Sequence, residues 1–444
     1  MKRALSQFPS WLRIVAVAAY SLIATDLSAN PRIWKDASGK FEIEAQFVSA
    51  DAKHVHLKRA DGSLLKIARS KLSKADLEFV ADATDRGSHR VSSAERLVAG
   101  AKALEFLDKY RFPKPRHSSA NPASPDDALI RASVEGLAMI ASGEARQYRD
   151  RIETCREFID RYASPRSNTP DREIGLSTRA LAYCLMFTSE HALQFNNAQT
   201  RRLSHELATN LLARQAKEGG WSASGITQVI NGSSDGTSIA LIALAGVAKL
   251  GEVDGAKQAR NRGLEFLKQC TVTEPPGSGM VTMKPGGDVH ESENGVRSMF
   301  AGNAFSLNGG GVTPEFASIL AMLRKLGRNM VMPGNQKSVE RIEGEMFLAL
   351  LFHHESNEDS ANFWDHRLQA IVSTQREDGS FPDPAKVNSG ASHIIAAFNQ
   401  KAAKEYEDQE TERHLPATIQ TTAFRTLTLL IPQGNLKIFT STEP

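Results

Sequence analysis

Between residues 30 and 82 the apolar positions recur every second residue. Phe41, Ile43, Ala45 and Phe47 alternate with Glu42, Glu44 and Gln46, and Val55 and Leu57 alternate with His54, His56 and Lys58. This is the pattern of half-buried strands. Asp61-Gly62 then offers the dipeptide that accepts positive φ in a tight hairpin, and Leu65 and Ile67 continue the return strand. Ser73, with Asp76 three residues on, is a capping-box variant that opens a short helix carrying Leu77, Phe79 and Val80. Several short strands in about fifty residues predict a small SH3-like β-barrel over residues 30–82. The polar stretch 83–94 reads as a linker.

From Ala94 the period changes to 3.6. Leu97, Ala101, Leu104 and Leu107 form one stripe, and Tyr148, Ile152, Cys155, Ile159 and Tyr162 form another. Breaks rich in Pro, Gly, Ser and Asn fall at 111–126, 163–172, 218–236, 271–312 and 377–390. The helices are of two kinds. Residues 145–163 and 253–269 are amphipathic and charged. Residues 236–250 and 315–326 are apolar on most sides and call for burial. Alternation of exposed and buried helices predicts a two-layer ring of hairpins over residues 95–435, each hairpin needing its neighbours to bury its face. The fold class is therefore multidomain: a small SH3-like β-barrel followed by an all-α ring.

Two segments punctuate the helices alike. Gln215, Gly219 and Trp221 share their spacing with Gln375, Gly379 and Phe381. Each Gly can supply the left-handed stop after a helix, each aromatic can cover the helix end, and each Gln can bond unpaired backbone groups. These segments resemble the QW repeat of the prenyltransferase and squalene-cyclase (terpenoid cyclase) superfamily, which implies an α/α-toroid. Upstream, Arg32-Ile33-Trp34, Gly39-Lys40-Phe41, Glu44-Ala45, Val55-His56-Leu57-Lys58, Asp61-Gly62 and Lys71-Leu72-Ser73 with Asp76 resemble the Sla-homology domain. That resemblance covers roughly residues 31–80. It implies an SH3-like module, which in fungi binds Asn-Pro-Phe-containing peptides ending in an acidic residue.

Composition narrows the classes. The chain has 444 residues, 41% hydrophobic and 24% charged, which is ordinary for a globular chain. A net charge of +3 lacks the concentrated basic character of a dedicated nucleic-acid binder, so no nucleic-acid partner is expected. Three cysteines exclude a disulfide scaffold. Residues 1–29 read as an export signal: Lys2, Arg3 and Arg13 precede an apolar run from Ile14 to Ala24, and Leu27-Ser28-Ala29 offers a cleavage site. The expected location is periplasmic or secreted. An uncleaved segment would instead anchor the chain in a membrane through residues 14–24. No run of 18 apolar residues follows residue 30, so no interior membrane helix is expected.

The resemblance to cyclases and prenyltransferases does not carry their chemistry over. No DxDD acid motif occurs, Ser124-Pro125-Asp126-Asp127 lacking its first Asp. Asp235-Gly236-Thr237 has Thr where the zinc-binding Asp-x-Cys pair has Cys. Neither a metal nor an organic cofactor is expected. The leading reading is an exported bacterial binding or adaptor protein. Its SH3-like domain would take a peptide or protein segment, with Trp34 as an aromatic anchor and Lys58 and Arg59 as cations for an acidic ligand. The ring would present a concave surface to a second ligand. The alternative is an enzyme acting on a lipid or polymer in the ring, using carboxylates at the N-termini of the inner helices or Asp288, His290, Glu291 and Glu293 of the segment 271–312 as acid–base groups. His353-His354-Glu355 with Asp365-His366 would not share a metal, because adjacent helical histidines diverge. Cys155 and Cys184 sit on apolar stripes and read as core thiols.

Overall fold

The computed structural model describes residues 32–37, 42–50, 54–59, 64–86, 93–110, 125–164, 176–223, 231–275, 278–288, 291–328, 339–355, 367–369, 371–382, 415 and 417–440. The chain separates into two compact units, Met1–Ala94 and Glu95–Pro444. The export-signal reading, the Asp61-Gly62 turn, His290, Asp365 and His366 lie outside the described residues.

In the first unit, strands β1 (Arg32–Lys35), β2 (Glu42–Ala50), β3 (His54–Lys58) and β4 (Leu64–Ala68) pair antiparallel in that order. Val55 faces Ile67 and Leu57 faces Leu65 across β3 and β4. The meander curls toward closure, because the Ala37 amide donates to Lys71 O at 2.9 Å and the Ser73 amide donates to Lys35 O at 3.0 Å. Helix α1 (Lys74–Arg86) follows, its start capped by Ser73 Oγ, which accepts from the Asp76 amide at 3.1 Å. The polar stretch expected as linker from residue 83 is thus helical as far as Arg86. The core gathers Trp34, Ala45, Val55, Leu57, Leu72 and Val80.

The second unit is two layers of helices. The inner layer holds α3 (Pro125–Ala141), α5 (Thr178–Phe195), α7 (Ser234–Ala248), α9 (Glu291–Leu307), α11 (Val339–Glu355) and the helical residues 417–430. The outer layer holds α2 (Ser93–Asp108), α4 (Arg149–Ala163), α6 (Ala198–Leu212), α8 (Ala256–Cys270), α10 (Pro314–Arg328) and the helical residues 367–369 and 371–373. Successive inner helices pack on one another, α3 on α5, α5 on α7, α7 on α9 and α9 on α11. Inner α7 is buried on every side, as its sequence requires, whereas outer α4 buries Ile152, Cys155, Ile159 and Ala163 and exposes its charges. Ser177, Asn197 and Ser233 cap α5, α6 and α7 through their side chains.

Three expectations change. The break at 271–312 contains a two-stranded hairpin, β5 (Thr271–Val272) and β6 (Met280–Val281), and the inner helix α9. The sequence hid α9 because its helix–helix contacts use small and polar residues: Ser298 and Asn303 are fully buried and hydrogen-bonded to neighbouring backbone. Residues 315–326 belong to the outer layer. The exposed positions within it include Ala317 and Ala321, with Glu315 and Arg324 near its ends, so its middle reads as apolar all round. Leu97, placed on a core stripe, is exposed, and α2 packs through Ala99, Ala103, Leu104 and Leu107.

Candidate functional site: the axial mouth of the helical ring

The two ends of the inner layer differ. At the C-terminal ends, one short segment after residue 430 crosses several helices. Asn435 Nδ2 donates to Ala141 O of α3 at 2.8 Å, and Lys437 Nζ donates to Leu193 O of α5 at 3.0 Å. Lys249, which caps α7, donates to Lys437 O at 2.7 Å. The inner helices therefore run the same way, and this end is covered. The other end carries the first turns of the inner helices, whose unpaired N–H groups favour negative charge.

That end is lined by engaged charges. Asp126, at the start of α3, accepts from the Ser177 amide at 3.1 Å. Asp235, at the start of α7, pairs with Arg297 of α9 at 3.3 Å. Buried Glu345 of α11 pairs with Arg367 of the outer layer and with Arg425 of residues 417–430. Burial pulls the Arg425 guanidinium down to about 10, so it stays charged near neutrality.

The axis itself is bridged. α5 and α11 stand three places apart in the inner layer, yet Arg179 Nε of α5 donates to Glu343 Oε1 of α11 at 3.1 Å, and a second Arg179 nitrogen pairs with Oε2. Tyr183 OH donates to the same Oε1 at 2.6 Å. Glu343 and Tyr183 are buried, whereas the Arg179 side chain is 29% exposed and is the face of the bridge open to solvent. Burial, with Glu343 beside it, pushes the Tyr183 phenol well above its ordinary range, so it stays a proton donor. Beneath the bridge, Tyr183 packs against Phe347 and edge-on against Phe424, and Phe347 meets Phe300. Among the described residues, these first turns thus set ion pairs above an aromatic cluster. They offer hydrogen-bond donors and acceptors, and the Arg179 guanidinium is more exposed than those of Arg297, Arg367 and Arg425.

The residues singled out from sequence are distributed differently. Asp288 is exposed beyond the β5–β6 hairpin. Glu291 and Glu293 lie in the first turn of α9. The hairpin packs on the ring: the Ser234 amide donates to Met283 O, and the Gly279 amide donates to Ser318 Oγ of α10. Trp34 is not a surface anchor. It is 1% exposed, its Nε1 donates to Ala45 O at 2.9 Å, and its ring meets Phe79 edge-on. Arg32 covers this pair, its guanidinium 3.8 Å from the Phe79 ring centroid and salt-bridged to Asp76. Arg59 is exposed and Lys58 ends β3. His353 lies at the end of α11, and no group of three potential metal ligands gathers among the described residues. Cys155, Cys184 and Cys270 are buried free thiols.

The two glutamine segments are devices of one design. Gln215 Nε2 donates to Gly219 O at 2.8 Å and to Ala259 O of α8 at 2.7 Å. Gln375 Nε2 donates to Gly379 O at 3.0 Å and to Ala99 O of α2 at 2.8 Å. Gly219 and Gly379 are left-handed, with φ of +98° and +90°. The Trp221 amide donates to Thr237 Oγ1 and the Phe381 amide to Thr422 Oγ1, which fixes each loop on the first turns of an inner helix.

Arg179, Tyr183, Asp235, Arg297 and Glu343 were missed as a group from sequence. Their one local signal is charge inside apolar helix text, as with Glu343 and Glu345 before Met346 to Phe352.

This arrangement, helical hairpins in two layers around a bridged axis, is an α/α-toroid. Residues 25–87 match the family SLA1 homology domain 1, SHD1. Over 49 residues the chain is 47% identical to the actin cytoskeleton-regulatory complex protein SLA1 of Vanderwaltozyma polyspora, a stretch that is 11% of this chain and 4% of that relative. The ring is similar to an inactive variant of the α-1,6-mannanase GH76A of Salegentibacter sp. HEL1_6 in complex with α-1,6-mannotetrose. The TM-score is 0.54 at 10% identity, over 76% of this chain and 99% of that one. A type II terpene cyclase, MstE from Scytonema, gives a TM-score of 0.46 at 14% identity, over 77% of this chain and 99% of that one.

Proposed function

We propose that the protein is an exported bacterial binding protein with two ligand sites. The SHD1-like unit takes a peptide or protein segment, and the toroid takes a polar ligand at its axial mouth. Export rests on the basic and then apolar order of residues 1–29. The protein-binding role of the first unit rests on its match to SHD1. An acidic ligand suits it, because residues 32–80 hold ten Lys and Arg against seven Asp and Glu, and Arg59 is exposed.

One observation carries the binding reading of the ring. Both carboxylate oxygens of Glu343, the group that reaches the axis, are already engaged by Arg179 and Tyr183. A carboxylate held this way is a poor general acid or base, but the bridge it forms is a rigid floor for a ligand.

The test uses the full-length protein. Calorimetric titration with an Asn-Pro-Phe peptide ending in Asp should show binding that weakens about tenfold or more with Arg59→Glu and with added salt. Parallel incubation with α-1,6-mannotetraose should leave the oligosaccharide intact by mass spectrometry. Oligosaccharide cleavage without peptide binding would replace this reading with the enzymatic one.

A further inference from the structure

The covered end of the ring holds a site that neither the fold nor the mouth requires. After residues 417–430 the chain turns at Gly434, a left-handed glycine with φ +69°. Residues 434–440 then lie in a groove made by the C-terminal ends of α3, α5, α7 and α11. Those ends present carbonyls with no partner inside their own helices. Asn435 and Lys437 take two of them, at Ala141 and Leu193. The Ile438 amide donates to Glu190 Oε2 of α5 at 2.8 Å. Lys249 clasps the segment from outside, through Lys437 O and Thr440 Oγ1. Leu436, Ile438 and Phe439 point inward and are buried, and Gly246 of α7 leaves room for Ile438.

The seating is specific. Three apolar side chains are buried at the cost of ordering seven residues, and these opposed terms are of similar size. The other oxygen of Glu190 is buried without a hydrogen-bond partner. A gap of about 20 Å3 remains beneath the segment, lined by Leu350, His353, Ile431, Gly434, Leu436, Phe439 and Thr440.

We propose that residues 434–440 form a releasable strap and that the groove beneath is a peptide-binding site. In this chain it is filled in cis. With the strap off, it takes the same segment in trans from a second copy, recognising a lysine followed by two apolar side chains. This site is independent of the two ligand sites proposed above.

The test uses a fluorescein-labelled peptide, Gly-Asn-Leu-Lys-Ile-Phe-Thr, and two full-length proteins. Ile438→Asp unseats the strap without touching the groove. This variant should unfold cooperatively and bind the peptide about tenfold or more tightly than the wild type does, by fluorescence anisotropy. A peptide with Asp in place of Phe should not bind, and excess acidic Asn-Pro-Phe peptide should not compete. In the wild type, amides 437–440 should exchange hydrogen well before those of α5. If Ile438→Asp does not fold, Lys249→Ala replaces it, since it removes only the outer clasp. A folded variant that binds no peptide overturns the proposal. So does a wild type whose strap amides are protected as long as those of α5.

Discussion

The side-chain amide of Gln375 donates to the carbonyl oxygen of Ala99 at 2.8 Å, across 276 residues of sequence. It is the counterpart of Gln215 on Ala259, and the likeness extends further. Gly379 lies against Lys102 O and Gly219 against Arg262 O, so each loop meets carbonyls three residues apart on the next outer helix. One device joins neighbouring hairpins within the chain. The other joins the last outer element to the first and closes the ring.

Gln375→Ala should therefore act on the whole unit. It removes two partly buried hydrogen bonds, to Ala99 and Gly379, and should cost about 1–3 kcal/mol. Chemical denaturation measures the loss. Hydrogen exchange should show α2 opening first, whereas Gln215→Ala should loosen α8 instead.

The glycines of these loops should be less replaceable than the glutamines. A Cβ at Gly379 would stand 2.2 Å from Lys102 O, and one at Gly219 2.6 Å from Arg262 O, both at positive φ. Either Ala variant should lose about 1–3 kcal/mol from backbone strain alone, with a further loss from the displaced helix. Trp221→Ala should lower stability by roughly 3–5 kcal/mol, because the ring is fully buried and its Nε1 bonds Leu211 O. Thermal unfolding of the three variants ranks these effects.

The thiols should be silent in the native protein. Burial pushes Cys184 and Cys270 up to about 12 and Cys155 higher still, so none carries thiolate near neutral pH. Ellman's reagent should titrate no thiol in the folded chain and all three in denaturant. Fast reaction of one thiol before unfolding would mean that its hairpin opens.

Local rules made part of this legible. The strand alternation, the Ser73 cap and the Gln–Gly–aromatic spacing of the glutamine loops each depend on residues within about ten positions, whereas the carbonyls those glutamines reach, Ala259 and Ala99, lie 44 and 276 residues away. What the sequence did not disclose depends on distance. Arg179 and Glu343 are 164 residues apart, and no periodicity pairs them. Trp34 shows how a rule can mislead. Aromatics near basic residues suggest a binding face, yet here the neighbouring cation, Arg32, covers the aromatic pair and ties it to Asp76. α9 was missed for a third reason: Gly, Asn and Ser, which read as loop, serve tight helix–helix contact when neighbours supply the hydrogen bonds.

His191 sets a pH dependence with a definite sign. It is fully buried on α5, its Nε2 lies 3.1 Å from Glu153 Oε1, and it packs against Phe187 and Phe195. Burial holds its folded pKa below the ordinary 6.5, and the attraction of Glu153 does not make up the difference. Protons therefore bind the unfolded chain more readily, and stability present above about pH 6.5 is lost as the pH falls through and below that value. Glu135 and Glu190 work the other way, because burial raises both carboxyls and protonation on acidification favours the folded state. The test is a comparison of wild type with His191→Gln, which keeps a neutral polar group beside Glu153. From pH 7.5 to pH 5.5 the melting temperature of the wild type should fall further than that of the variant. A smaller fall than the variant's would show that His191 is protonated in the folded state with Glu153 as its counter-ion.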